Sequence, residues 1–268
     1  ARNPKILVLD DALSAVDTAV WDAAAKYAGL PLSVMLGSNC KKVPVYGSGG
    51  WLSMDNSELV AEALMHAEMG ITGYKLKIGS GRDRERVKLL RQEMGDRFTL
   101  YVDANQNYNV VDAVAASEWL ADYDVAWLEE PVLADCPWEM EEVAAASAVP
   151  VAAGENVYFS WGFQDLCNRQ AVGYLQPDIG RCGGVTEWIK IAHMADTHNL
   201  RLTSHLLHEV STCLIGAFAS GFAVEFMNFF QINPFTQDFS VSDGHINVPN
   251  VPGHGVEFRP EAKKQYTI

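Results

Sequence analysis

The chain has 268 residues, 49% of them hydrophobic, with 34 acidic against 20 basic side chains and a net charge of −14. That length supports a sizeable core, in one large α/β domain or two small ones. The acidic balance repels phosphate backbones and anionic lipid, so nucleic acid and membrane are not expected as partners. No run approaches the 18 or so uninterrupted apolar residues that would span a bilayer, and no secretory leader is visible at Ala1. The five cysteines, Cys40, Cys136, Cys167, Cys182 and Cys213, are odd in number and scattered. They fit buried thiols in a reducing cytoplasm better than a disulfide framework.

In chain order, a β-rich run at 43–46 leads to a helical stretch at 56–69. A run at 73–78 leads to a helix at 83–94, and 99–103 to a helix at 110–121. A run at 126–129 precedes a helix at 138–146, and 149–153 a shorter helical stretch at 160–168. Runs at 174–176 and 201–204 precede helices at 186–198 and 209–220, and a last run lies at 223–226. Strands alternating with helices imply a parallel sheet. Eight strands in that order predict a closed barrel with its site at the C-terminal strand ends. A doubly wound open sheet is the weaker alternative, because no G-x-G-x-x-G or P-loop follows a strand.

The strand ends carry charge in phase. In "GYKLKIG" the side chains of Lys75 and Lys77 share one face of an apolar strand. Asp103 ends the third strand, Glu129 the fourth and Glu155 the fifth; Asp178 follows the sixth, His205 the seventh, and Glu225 lies on the eighth. From Lys77 the steps are 26, 26, 26, 23, 27 and 20 residues, each close to one βα unit. Strands do end at water, which accounts for a single charge there. A whole series at this period, partly inside apolar runs, predicts convergence on one mouth.

Asp103, Glu129 and Glu155 would be three carboxylates on adjacent strands, and like charges so close call for a cation or a proton. An all-oxygen set favours a hard ion such as Mg2+, and no Cys/His cluster suits zinc. Glu130 alternates to the other face and reads as a structural ion pair. Two neighbouring, partly desolvated ammoniums would depress each other, bringing a lysine toward use as a base. Asp178 would set the tautomer of His205 and support its charged form. The lysines and His205 would then flank the metal site from opposite sides. Glu225, in apolar "AVEFM", is expected to be a protonated acid. The chemistry that needs this set is removal of the α-proton of a carboxylate.

The ordered motifs resemble the enolase superfamily, mandelate racemase subgroup. They are K-x-K at Lys75 and Lys77, D-x-N at Asp103 and Asn105, E-E-P at 129–131, G-E-N at 154–156, P-D-x-x-x-x-G-G at 177–184, S-H at Ser204 and His205, and Glu225. The similarity runs from about residue 12 to about residue 258. It implies a modified TIM barrel, (β/α)7β, with Mg2+ on Asp103, Glu129 and Glu155. It also implies Lys77 as the base on one face and His205, supported by Asp178, as the acid/base on the other. By the same likeness Lys75 and Glu225 meet the substrate carboxylate, and Asn105 and Arg181 contact substrate. Arg181 stands where the racemase itself has a lysine, which keeps the charge and points to an altered substrate contact. The first-strand stretch "VYGSGGWLS" is similar to the sugar-diacid dehydratases of the subgroup.

The family has an N-terminal α+β capping domain, and most of it is expected to be absent here. Residues 1–42 then read as the helical lead-in from the cap, 43–232 as the barrel, and 233–268 as the segment returning to the cap. His66, His193, His198, His245 and His254 read as bystanders, while His208 could line the pocket. The expected activity is Mg2+-dependent dehydration of an acid sugar to a 2-keto-3-deoxy acid, by a cytoplasmic homo-oligomer acting on a small hydroxy acid. Racemisation or epimerisation of a 2-hydroxy acid is the alternative, since the motifs serve both. A non-catalytic sugar-acid binding protein and a Schiff-base aldolase are the remote ones.

Overall fold

The computed structural model describes residues 4–38, 40–227 and 233–266. The chain enters through α1 (Pro4–Ala28) and α2 (Leu32–Met35). Then β1 (Lys42–Gly49), α3 (Asn56–Glu68), β2 (Gly73–Lys77), α4 (Asp83–Met94), β3 (Thr99–Asp103) and α5 (Val110–Ala121) alternate. β4 (Val125–Glu129), α6 (Pro137–Ala146), β5 (Val151–Ala153), α7 (Phe159–Asn168), β6 (Tyr174–Leu175) and α8 (Val185–Thr197) continue the pattern. β7 (Arg201–Thr203), α9 (His208–Ile215) and β8 (Gly221–Phe226) complete it. β1 pairs in parallel with both β2 and β8, so eight strands close into the expected barrel with seven helices between them. Beyond it lie β9 (Val241–Ser242), β10 (His245–Asn247) and α10 (Pro260–Tyr266). β10 runs antiparallel along the start of β1, from Lys42 to Pro44.

Why the strands are strands is visible in their burial. β2 is buried at every position, as a strand covered on both faces must be. Its outward Leu76 packs with Leu59, Val87 and Leu90 under α3 and α4. Inward, Tyr46, Tyr101 and Trp127 meet Ala152 and Ala223, and the Tyr101 and Trp127 rings stack at 3.8 Å. This aromatic layer fills the barrel below its mouth.

Helix starts follow local chemistry. Asp55 and Glu58 form a capping box on α3, Asn109 accepts from the Asp112 N–H on α5, and Pro137 opens α6. α8 begins at Gly184, which offers no side chain. Asp17 on α1 serves instead, accepting from the Thr186 N–H at 2.9 Å. The Gly183 N–H donates to Ser14 Oγ, so α1 is fastened across the start of α8.

Two helices differ from the sequence expectation. The stretch at 160–168 is a full helix, α7. The helix expected to run to residue 220 ends at Ile215, capped by Gly216. Gly221 then turns so tightly into β8 that a Cβ there would lie 2.1 Å from the Ile215 carbonyl oxygen. Of the apolar stretch 218–230, Phe222 and Phe226 lie on β8; residues 228–230, like the domain boundary at 232, fall outside the described residues.

Two substitutions test this frame. Leu76→Ala removes a fully buried outward side chain and is expected to cost about 2–5 kcal/mol in urea denaturation without altering the mouth. Gly154 has φ +152°, and a Cβ there would sit 2.7 Å from the Gln176 backbone. Gly154→Ala is expected to destabilise the fold by about 1–3 kcal/mol, read as a lowered Tm.

Candidate active site

The sheet register brings the ionisable side chains to one height. Lys77 pairs with Asp103 and Asp103 with Glu129 in consecutive strands. Directly paired residues of parallel strands point the same way, so all three face the barrel interior. Glu155 lies just past the end of β5, Asp178 and His205 just past β6 and β7, and Glu225 on β8. Exposure across these seven and Lys75 runs from 0% at Asp103 to 9% at His205.

Oxygen atoms of Asp103, Glu129 and Glu155 all lie within 4.8 Å of one another. Lys77 Nζ donates to Asp103 Oδ2 at 2.5 Å. Lys75 Nζ donates to Glu129 Oε1 at 2.5 Å and lies 2.8 Å from Glu225 and 3.7 Å from Asp103. On the far side, His205 Nε2 stands 3.2 Å from Glu155 Oε2, and its Nδ1 bonds Asp178 Oδ2 at 2.8 Å. The carboxylate triad is thus flanked by Lys77 and by His205, as expected. Asp178 also caps its own turn, accepting from the Gly180 N–H, and the Arg181 guanidinium lies 3.6 Å from it.

The residues present fit a hard divalent cation. Three carboxylates converge in a desolvated place, which only opposite charge or protonation can relieve. Burial lifts Glu129 to about 8; Lys75 opposes that rise, and Asp103, Glu225 and Glu155 add to it. Asp103 escapes this: burial would raise it, but Lys75 and Lys77 hold it below the ordinary range. Glu155 Oε2 is buried and makes no well-formed hydrogen bond among the described residues, with His205 Nε2 the ionisable group 3.2 Å away.

Three expectations are corrected. Lys75 is not brought toward neutrality. Burial does push it down, but Glu129, Glu225 and Asp103 outweigh that and hold it charged, well above the usual range. Glu225 is likewise not a protonated acid: burial would raise it, yet Lys75 and then His205 hold it well below the ordinary value. Its Oε2 accepts from the Leu206 N–H at 2.7 Å. Glu130 makes no ion pair among the described residues. Its carboxylate accepts from the amides of Gln106 and Asn156, and burial, then Glu155, lifts it to about 7. His205 follows the expectation: burial lowers it, but Asp178, Glu225 and Glu155 prevail and raise it.

Asn105 sits exposed at the mouth with φ 43°, its N–H donating to Asp103 Oδ1. Arg181 reaches the Glu155 carbonyl and Asn156 Oδ1, both at 3.2 Å. His208 does not join the cluster; its ring packs on Phe226 at 5.0 Å. His66 packs between the rings of Tyr74 and Phe226. The sequence reading missed Trp127 and Gln176, whose Nε1 and Nε2 donate to Glu129 Oε2 at 3.1 and 2.7 Å. It also missed Arg86, a fully buried guanidinium that donates to the carbonyls of Lys77, Gly50 and Trp51. Inward period-2 spacing from Glu129 and from Tyr174 was the available signal for the first two.

Comparison with known proteins agrees with this geometry. The family described as "Enolase C-terminal domain-like" matches residues 58–262. The 3,6-anhydro-alpha-L-galactonate cycloisomerase of Streptomyces coelicolor is 32% identical over 91% of this chain and 69% of its own length. The L-talarate/galactarate dehydratase of Salmonella typhimurium is 32% identical over 94% of this chain and 64% of its own. The structure of L-talarate dehydratase from Polaromonas sp. JS666, complexed with Mg and L-glucarate, superposes with a TM-score of 0.89. It is 33% identical and covers 95% of this chain and 71% of that one. This chain therefore spans about two thirds of the length of such relatives. With its closed barrel, its carboxylate triad and these relatives, the chain belongs to the enolase superfamily, in the mandelate racemase subgroup.

Proposed function

We propose that this protein removes the α-proton of a hydroxy-carboxylate and that the usual outcome is dehydration of an acid sugar to a 2-keto-3-deoxy acid. The observation that carries the reading is the pair of flanking groups: Lys77 against Asp103, and His205 against Glu155, on either side of one carboxylate triad. The dehydratase names of the relatives support the choice of substrate class.

Asp103, Glu129 and Glu155 would hold Mg2+, which when bound supplies positive charge to the substrate carboxylate as its α-carbon loses a proton. Lys77 Nζ, or His205 Nε2 for the opposite stereochemistry, takes that proton. The C–O bond at the β-carbon then breaks, and a protonated His205 gives its proton to the departing hydroxyl, which leaves as water. The resulting enol takes up a proton at carbon to become the keto acid. Asp178 keeps Nδ1 of His205 protonated, so Nε2 is the atom that trades protons. Lys75, charged between Glu129 and Glu225, offsets negative charge at the carboxylate end. Asn105 and Arg181 are proposed as substrate contacts at the rim.

A base on each face equally suits a 1,1-proton transfer, which makes racemisation or epimerisation the second reading. Residues 1–42 and 233–268 are read as the segments joining the barrel to a capping domain. The exposed Leu13, Val16 and Val20 on one stripe of α1 support a further packing partner there. A cytoplasmic homo-oligomer completes the proposal, with five free cysteines in keeping with the compartment. Light scattering giving a monomer mass would remove the oligomer.

Proton NMR in D2O over a panel of hydroxy acids and sugar diacids with Mg2+ tests the chemistry. New 3-deoxy methylene signals are expected; loss of the α-proton with the skeleton intact would mean racemase, and no exchange on any compound would remove both readings. Lys77→Ala and His205→Ala are each expected to lower kcat by about 10²–10⁴-fold. Chelation by EDTA is expected to abolish exchange while circular dichroism stays unchanged. Returning Mg2+ to 100 times its Kd should add about 2.7 kcal/mol of stability, read as a raised Tm.

A further inference from the structure

Gln176 directly follows β6, and its side chain does not stay there. Its N–H donates to the Ala153 carbonyl, tying it to the end of β5. Its side chain crosses β5 and donates from Nε2 to Glu129 Oε2 on β4 at 2.7 Å. Ala152 makes the crossing possible: it stands in register between Glu129 and Tyr174, faces inward, and is too small to block the way. Gly154 helps as well, because its backbone approaches that of Gln176 more closely than any Cβ would allow.

In its ionised, metal-binding form the Glu129 carboxylate admits only the donor end of the amide, which fixes the orientation of the whole side chain. The other end, Oε1, is then buried with no hydrogen-bond partner among the described residues. Residue 176 is 2% exposed. A fully buried amide kept half unsatisfied is unfavourable for stability, so its retention needs another reason. The geometry around Glu129 supplies one. Lys75 pulls on Oε1, while Gln176 and Trp127 hold Oε2 from the opposite side. Trp127 is a near neighbour on the same strand, whereas Gln176 anchors Glu129 to a different part of the barrel.

We propose that Gln176 is a positioning residue, an amide that reaches across β5 to hold the Glu129 carboxylate in place for the divalent cation. The inference rests on the Mg2+ reading above. Groups that orient a metal-binding carboxylate typically change affinity by about 10- to 100-fold when removed.

The test uses Mn2+ as the probe, titrated into the full chain with free Mn2+ counted by electron paramagnetic resonance. The parent, Gln176→Met, Gln176→Asn and Glu155→Gln are compared, with folding checked by Tm. Met keeps the volume without a donor, and Asn keeps the amide but falls short of Glu129. The parent should bind Mn2+ and Glu155→Gln should lose it. Both Gln176 variants should bind about 10- to 100-fold more weakly. A packing role would spare Gln176→Met, and general polarity would spare Gln176→Asn; should Met fail to fold, Asn decides alone. Parent-like affinity in a folded Gln176 variant, with Glu155→Gln defective, overturns the inference and leaves the metal site standing. A parent that binds no Mn2+ overturns both.

Discussion

Three carboxylates buried at one height in a barrel are the constraint around which this structure is arranged. Asp103, Glu129 and Glu155 converge to within 4.8 Å where water is largely excluded. In such surroundings an uncompensated carboxylate is costly. Every neighbouring feature answers that cost. Lys77 and Lys75 approach from β2, Gln176 and Trp127 donate to Glu129, and the Asn105 N–H donates to Asp103. The closed sheet matters because only fixed register holds these groups level. A one-residue slip of β4 against β3 would turn Glu129 to the outer face.

The two lysines show how local and non-local electrostatics differ. Taken as neighbours on one strand, they should repel and lose protons. In the folded barrel Lys75 lies among Glu129, Glu225 and Asp103, and their attraction outweighs burial. Glu225 follows the same logic in reverse. Its flanking residues are apolar, yet Lys75 reaches it at 2.8 Å from across β1. A chain segment reveals which side chains share a face, because that needs only the period of the strand. It does not reveal which opposite charge the closed sheet will bring against them.

That distinction explains what the sequence made legible. All eight strands and the seven helices between them were readable, because each βα unit repeats an apolar run and an amphipathic one. The charged members of the site were readable too, since charge inside an apolar run stands out. Gln176, Asn156 and Gln106 carry no charge and look like ordinary loop polar residues; their importance comes from reaching Glu129 and Glu130 at the end of β4. Arg86 was hidden for a different reason. It lies on α4 among other charged residues, and only the fold shows that its guanidinium is buried, tying β2 to the loop after β1. The early end of α9 depended on the tight approach of Gly221 to Ile215, which no periodicity records.

The same strand ends also collect backbone conformations that side chains disfavour. Asn105 and Gln106 follow Asp103, Glu130 follows Glu129, and Leu206 and Leu207 follow His205, all with φ between 37° and 64°. Each non-glycine residue held there carries strain that its surroundings must over-determine. Here the surroundings do so visibly: the Gln106 N–H donates to the Glu130 carbonyl, and the Leu206 N–H to Glu225. The turn lets the chain leave the strand at once, so the preceding side chain stays at the height of the mouth and is not carried outward. Strained turns, a charged lysine between carboxylates and the half-satisfied amide of Gln176 therefore share one cause. The fold gives up local stability at the strand ends to keep acidic, basic and donor groups in fixed positions, and the aromatic layer and outer helices supply the rigidity that permits it.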